Sequence, residues 1–349
     1  DLLALRSAQV QALTPMQIKA LDESQIVVFS SGQTALLTTL QVSSLRDAQV
    51  TALTPSQVVA LNTTQFTSLA NGQVVAMTTE QLSAIETRDL VVLSSAQVRA
   101  LSSSQIVALT TAQAFGLTTT QVASLGAAQV AVIENSDLQA LGQAQVQSFT
   151  SQQLKALTTD QLLSLTSAQV PALTNIQIAV FDLNQIVACD QDHVVALTST
   201  QIAALAPTQV SILGMAQLNA IETRDVSALQ SAQVRALTTS QVGDLATGQV
   251  VALREQQIST FSGSQVQVLE ASQLGALRSS QIQSLAPTQL RELSSDQIFA
   301  LRPPQVSSLT SDQVAAFSTL QTVSINTDQI RALTGGQVSS LTLSQASAL

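Results

Sequence analysis

Leu53-Thr54-Pro55-Ser56-Gln57-Val58-Val59-Ala60 is one full statement of a pattern that begins again at Leu61. From Leu5, steps of eight fall on Leu13, Leu21, Phe29, Leu37 and Leu45, and the register still holds at Leu333, Leu341 and Leu349, with no insertion or deletion. The chain is therefore a repeat array, and its fold follows from what eight residues encode. The slots read anchor, cap, two variable positions, Gln, Val, a mixed position and Ala.

The cap slot is mostly Thr, Ser, Asp or Asn, and Gln follows three residues later, which is the spacing of a helix capping box. The cap side chain accepts from a backbone N–H of the first turn while the Gln reaches back to the cap. Anchor and Val then flank the box as a hydrophobic staple. Proline tests this reading independently, because it is tolerated in the first helical turn and disruptive beyond it. Pro15, Pro55, Pro207, Pro287 and Pro303 stand one residue after the cap, and Pro304 two after it. Pro171 alone breaks the rule, so a bend or a shortened helix is expected there.

A single continuous α-helix is excluded, because each octad would drift about 80° around its axis. A β-solenoid would require alternation of period two with Gly and Asn at its corners, whereas Ala is abundant and Gly numbers 12. The expected fold is all-α, a solenoid of very short helices, one per octad. One octad buries too little to offset the entropy of ordering it, so stability must come from stacking neighbours.

Composition narrows the functional classes. Aromatic residues are 2% of the chain, with no Trp or Tyr, so the core is aliphatic and deep, irregular pockets are not expected. A net charge of −9 and a pI near 4.5 argue against a nucleic-acid surface, which needs clustered Lys and Arg. The single Cys excludes an intrachain disulfide framework. No apolar run approaches the ~20 residues of a membrane span. The unbroken octad leaves no linker, so residues 1–349 read as one continuous unit. It opens in mid-repeat and closes on an anchor, which suggests an excerpt of a longer chain or a filament unit.

Residues in the slot after Val alternate from Thr51 through Val59, Thr67, Val75, Ser83, Val91 and Arg99 to Val107. That alternation suggests two octads per turn. Against it, Ile85-Glu86-Thr87-Arg88-Asp89 recurs as Ile221-Glu222-Thr223-Arg224-Asp225, seventeen octads later. The valines, with Phe115 and Phe299, are candidates for a lateral apolar strip.

Two irregular groups are candidates for chemistry. Asp replaces the Gln at Asp89, Asp137 and Asp225, each time with Glu in the cap slot (Glu86, Glu134, Glu222) and Ile as anchor (Ile85, Ile133, Ile221). Three substitutions moving together imply physical coupling. As metal candidates these carboxylates could offer oxygen ligands to a hard cation such as Ca²⁺. The structural reading, which is preferred, is that they favour the positive end of a helix, with Arg88 and Arg224 offsetting repulsion. The second group holds the only Cys and the only His, Cys189 and His193. A soft-metal or nucleophile–base pair could be drawn from them, but Cys189 stands in an anchor slot and His193 in a Gln slot. Both read as substitutes for those slots. No catalytic or cofactor-binding residue is assigned, and an enzyme is not expected.

The phrase from Leu53 to Ala60 resembles the opening helix of the DNA-binding repeats of plant-pathogen transcription activator-like effectors. Those repeats are several times longer and carry a variable, base-reading residue pair that has no counterpart here. Over the whole chain the match is better to the Leu-Thr-Thr-x-Gln-Val-x-Ala-Leu tracts of very large bacterial exoproteins, often labelled heme utilization or adhesion proteins. Leu237-Thr238-Thr239-Ser240-Gln241-Val242 and Leu157-Thr158-Thr159-Asp160-Gln161-Leu162 carry that resemblance. It implies a secreted or surface-attached stalk, adhesin or fibre, and no site residues. The expected function is thus an extracellular structural segment that self-associates end to end or laterally. A repeat scaffold for a protein, cell-surface or glycan partner is the alternative.

Overall fold

The computed structural model describes residues 2–349. Contacts group the chain into two compact units, one ending at Leu173 and the other Thr174–Leu349, and the same building rule operates within each. Among the described residues there are forty-two α-helices of four to six residues and no β-strand. Each unit is an all-α solenoid built from the octad.

The helix Pro55–Ala60 shows how one octad folds. Thr54 has extended backbone (φ −69°, ψ 154°) and begins the helix. Its Oγ1 accepts from the Gln57 N–H at 3.2 Å, and the Gln57 Oε1 accepts from the Thr54 N–H at 2.7 Å. This is the capping box expected from the spacing. The helix stops because Leu61 turns extended (φ −66°, ψ 141°), donating its N–H to the Val58 carbonyl at 3.1 Å. Asn62 then starts the next helix. An extended anchor and an extended cap therefore make the corner, and no described residue has positive φ. That is why the corners need neither Gly nor Asn. Val58 and Leu61 both face inward and are buried.

Pro55–Ala60 packs against Ser31–Ala35 and Thr79–Ala84, the helices three octads behind and three ahead. Three octads make one turn, not two. The alternation that suggested two lies among exposed side chains: Val59, Val75 and Val107 are 37%, 44% and 41% exposed. It carries no information about burial. Three per turn also disperses the expected valine strip, because Val59 and Val107 share one face while Val75 and Val91 fall on the other two.

Turns are joined through the far end of the glutamine. Gln57 Nε2 donates to the carbonyls of Ile26 at 2.9 Å and Phe29 at 2.8 Å. These belong to the last turn and C-cap of Glu23–Val28, where helical carbonyls lack intrahelical partners. One side chain thus caps the start of its own helix and the end of a helix in the adjacent turn. From Gln33 to Gln169 in the first unit and from Gln209 to Gln345 in the second, every glutamine of the slot donates to the anchor carbonyl 28 residues earlier.

Natural variation ranks the two halves of the box. Ala70, Gly126 and Ala206 have no side-chain acceptor, yet their N–H groups still donate to Gln73, Gln129 and Gln209 at 2.6–2.7 Å. The local cap bond to the amide thus persists where the hydroxyl is missing. Arginine in the cap slot acts differently: Arg46 Nη2 and Arg302 Nη2 donate to the carbonyls of Leu21 and Leu277 in the adjacent turn, at 2.9 and 2.8 Å.

At Pro171 the α-helix gives way to a 3₁₀ segment, Val170–Ala172, as expected where the ring removes an N–H donor. The failure stays local, since Gln169 still donates to Leu138 and Leu141. No helix among the described residues is long and apolar enough to cross a membrane.

Gln57→Glu removes two donors and places a carboxylate against two carbonyls, so it should destabilise the first unit by about 3 kcal/mol. Thr54→Ala should cost only about 1 kcal/mol. Urea unfolding followed by circular dichroism measures both. Equal losses would contradict the ranking of amide over hydroxyl.

Candidate functional site

Where Asp occupies the Gln slot, the corner is rebuilt. The side chain is one methylene shorter and carries no N–H, and each Asp instead accepts from a hydroxyl 26 residues earlier. Thr63 Oγ1 donates to Asp89 at 2.8 Å and Thr111 Oγ1 to Asp137 at 2.9 Å, while Ser199 Oγ donates to Asp225. All three hydroxyls come from the first helical residue of the octad one turn earlier. All three carboxylates are buried.

At two of the three corners the cap glutamate and the Asp share one arginine. Glu86 pairs with Arg88 at 2.8 Å, and Arg88 also lies 3.5 Å from Asp89. Glu222, Arg224 and Asp225 repeat this at 2.9 and 3.5 Å. Glu134 and Asp137 have Ser136 between them and no such arginine. Burial pushes the Asp137 carboxyl above its usual value; the Thr111 bond opposes this, and the negative charge of Glu134 adds to it. Among the described residues no three His, Cys, Asp or Glu side chains form a group suited to a metal ion.

The hydroxyl partners Thr63, Thr111 and Ser199 were not anticipated. Their signal was present in the sequence: a Ser or Thr stands 26 residues before each Asp of the slot. It becomes legible only once three octads are known to make a turn.

Cys189 and His193 take the roles of their slots. The Cys189 thiol lies 3.4 Å from the Gln185 carbonyl, and its own carbonyl accepts from Gln217 Nε2 at 2.6 Å, as an anchor carbonyl does. His193 keeps one half of the capping box: its N–H donates to Asp190 Oδ1 at 3.0 Å, while its Nδ1 meets the same oxygen at 2.5 Å and does not reach the cap N–H. These bonds hold the Asp190 carboxyl below its usual value. The buried Nε2 of His193 has no hydrogen-bond partner. Thiol and imidazole are thus engaged separately, one with Gln185 and one with Asp190.

Two small cavities mark where a large inward slot holds a small residue. One, of about 20 Å³, is lined by Ala114, Leu109, Ile133 and Asp137 among others; the second, of about 30 Å³, is lined by Cys189, Ile186 and Leu213 among others. Gly116 answers a different constraint, since a Cβ there would lie 2.0 Å from Thr87 Cγ2.

Four stretches, residues 82–119, 130–167, 218–255 and 286–319, match the ALTTAQ repeat. Each of these four stretches carries ALTTAQ repeats. The phrase itself stands at Ala108-Leu109-Thr110-Thr111-Ala112-Gln113, spanning anchor, cap and glutamine. The first three ALTTAQ stretches open at residues 82, 130 and 218, seven residues before Asp89, Asp137 and Asp225 respectively. No curated protein matches the chain.

Ala114→Val should fill the cavity beside Asp137 and stabilise the first unit by about 1 kcal/mol, read by thermal unfolding. Burial pushes the Cys189 thiol up to about 11 from 9.0. At pH 8 a disulfide reagent should therefore react with the folded protein roughly 100-fold more slowly than with the urea-unfolded chain. The corresponding stability is present below 9.0 and lost as pH rises through about 11.

Proposed function

We propose that this repeat array is a structural protein of the cell surface or extracellular space, a stalk or filament segment whose length is set by the number of stacked turns. The observation that carries the reading is the repetition of one turn-to-turn bond, glutamine Nε2 to the anchor carbonyl, throughout each unit. Such a bond adds length without new chemistry at each step. Apart from the glutamines, most interior positions hold aliphatic residues, while the outer slots vary widely, which suits a spacer. The surface is Ser- and Thr-rich with few charges, and the likeness to large bacterial exoproteins supports placement outside the cell. A role in adhesion fits the same exposure.

Lateral self-association has an apolar patch available to it. Phe299 and Val323 lie on helices stacked one turn apart, Ser295–Phe299 and Thr319–Val323, and Leu320 stands beside Val323. All three side chains are exposed.

Electron microscopy of the purified chain should show elongated particles, and protease added to intact cells should cleave the native protein. Compact particles, or complete protection from external protease, would sink the proposal. Phe299→Lys combined with Val323→Lys should disperse lateral assemblies in analytical ultracentrifugation, with the circular dichroism spectrum unchanged.

A further inference from the structure

Asp137 differs from the other two aspartates of its slot. Residue 136 is Ser, where Asp89 and Asp225 are preceded by Arg88 and Arg224. The Asp137 residue is 3% exposed and borders the small apolar cavity beside Ala114, Leu109 and Ile133. Its helix, Asn135–Ala140, packs against Thr111–Gly116 and Thr159–Leu163. The first of these carries no titratable side chain and the second only Asp160; Glu134 caps the Asp137 helix itself. Every charged group on these elements is negative.

The backbone around Asp137 keeps the shape that a glutamine serves elsewhere. The anchor carbonyl 28 residues earlier belongs to Leu109, and no donor from the described residues reaches it; the Ile106 carbonyl accepts from backbone N–H groups alone, that of Leu109 at 3.2 Å and that of Ala108. At the neighbouring corners the equivalent carbonyls of Leu101 and Leu117 accept from Gln129 and Gln145, at 2.8 and 2.6 Å. An ionised carboxylate has nothing to donate. A neutral carboxyl has one O–H.

We propose that Asp137 is a proton-operated clasp of the first unit: when protonated it donates to the Leu109 carbonyl in place of the missing glutamine, and when ionised it leaves that corner tied only by Thr111. Mild acid therefore tightens this corner, while the glutamine corners around it do not respond. Burial, the first cause of the raised carboxyl value, acts in the same sense, as does Glu134. The sign follows from that direction: the contribution is fully present below the ordinary value of 3.8 and is lost as pH rises through the higher folded-state value. The inference does not depend on where the protein acts.

The test is a carboxyl-carbon NMR titration of the full chain, with Asp137 identified by the signal missing from Asp137→Asn, together with melting curves of both proteins between pH 7 and about pH 3.5. The expected midpoint lies above 3.8. The asparagine variant, whose amide donates at every pH, should melt about 3 °C above the parent at pH 7, and that gap should close in acid. Thr111→Val, which removes the only donor to the ionised form, should move the midpoint further up. A midpoint at or below 3.8 overturns the proposal, and so does a melting gap independent of pH. If Asp137→Asn does not fold, the upward shift in Thr111→Val decides the question, and its absence counts against the clasp.

Discussion

The structure depends on one primary amide used at both ends. A helix of four to six residues has more unpaired backbone groups at its termini than hydrogen bonds inside it, so it cannot persist unless something external satisfies them. Glutamine in the third helical position does this twice. Its Oε1 takes the cap N–H of its own helix, and its Nε2 gives both protons to the terminal carbonyls of a helix in the adjacent turn. Those geometric demands fix the amide orientation, since the N–H must face oxygen and the carbonyl must face N–H. Glutamate lacks the donors, and a side chain one methylene shorter does not reach back to the cap N–H, as the three Asp corners show. Each such bond contributes about 1 kcal/mol net, against at most about that for an exposed ion pair such as Arg46–Glu23. The glutamine series, present at nearly every corner, outweighs the few surface ion pairs.

The local half of this arrangement was legible in the sequence and the distant half was not. Thr54 and Gln57 announce a helix start by their spacing alone, and Pro171 announces a failure by standing where a helical N–H is needed. Both statements concern residues within one octad. The second role of Gln57 is directed at the carbonyls of Ile26 and Phe29, and a backbone carbonyl has no letter in the sequence. The number of octads per turn was hidden for the same reason. Alternating Val and Thr in an outward slot mimicked a burial pattern, whereas the truly inward slots, those of Val58 and Leu61, are apolar in nearly every octad and so cannot count turns.

The Asp corners show how deviations become informative once the turn is known. Glu86 with Asp89, Glu134 with Asp137 and Glu222 with Asp225 were recognisable as coupled changes, and a shared cation was one way to couple them. The structure couples each Asp to a hydroxyl one turn earlier, and the cap glutamates at two corners to Arg88 and Arg224. The Ile anchors remain without a physical account. His193 illustrates the cost of a partial substitute. It restores the local cap through Asp190 but brings a ring nitrogen, Nε2, that finds no partner.

A division of labour between slots follows from this geometry. The anchor, Gln and Val slots face the interior or the corner and tolerate little, because an error there opens a cavity, as at Ala114, or strands a polar group, as at His193. The first two helical positions and the slot after Val face outward and accept Pro, Gly, Met, Phe, Arg or Glu with equal register. Interior identity with exterior freedom lets the array lengthen by duplication, since a new octad brings its own helix start and its own bond to the turn before it. The same property makes surface features such as Phe115 or the Phe299–Val323 patch poor guides to fold and better guides to contact, because nothing in the stacking rule requires them.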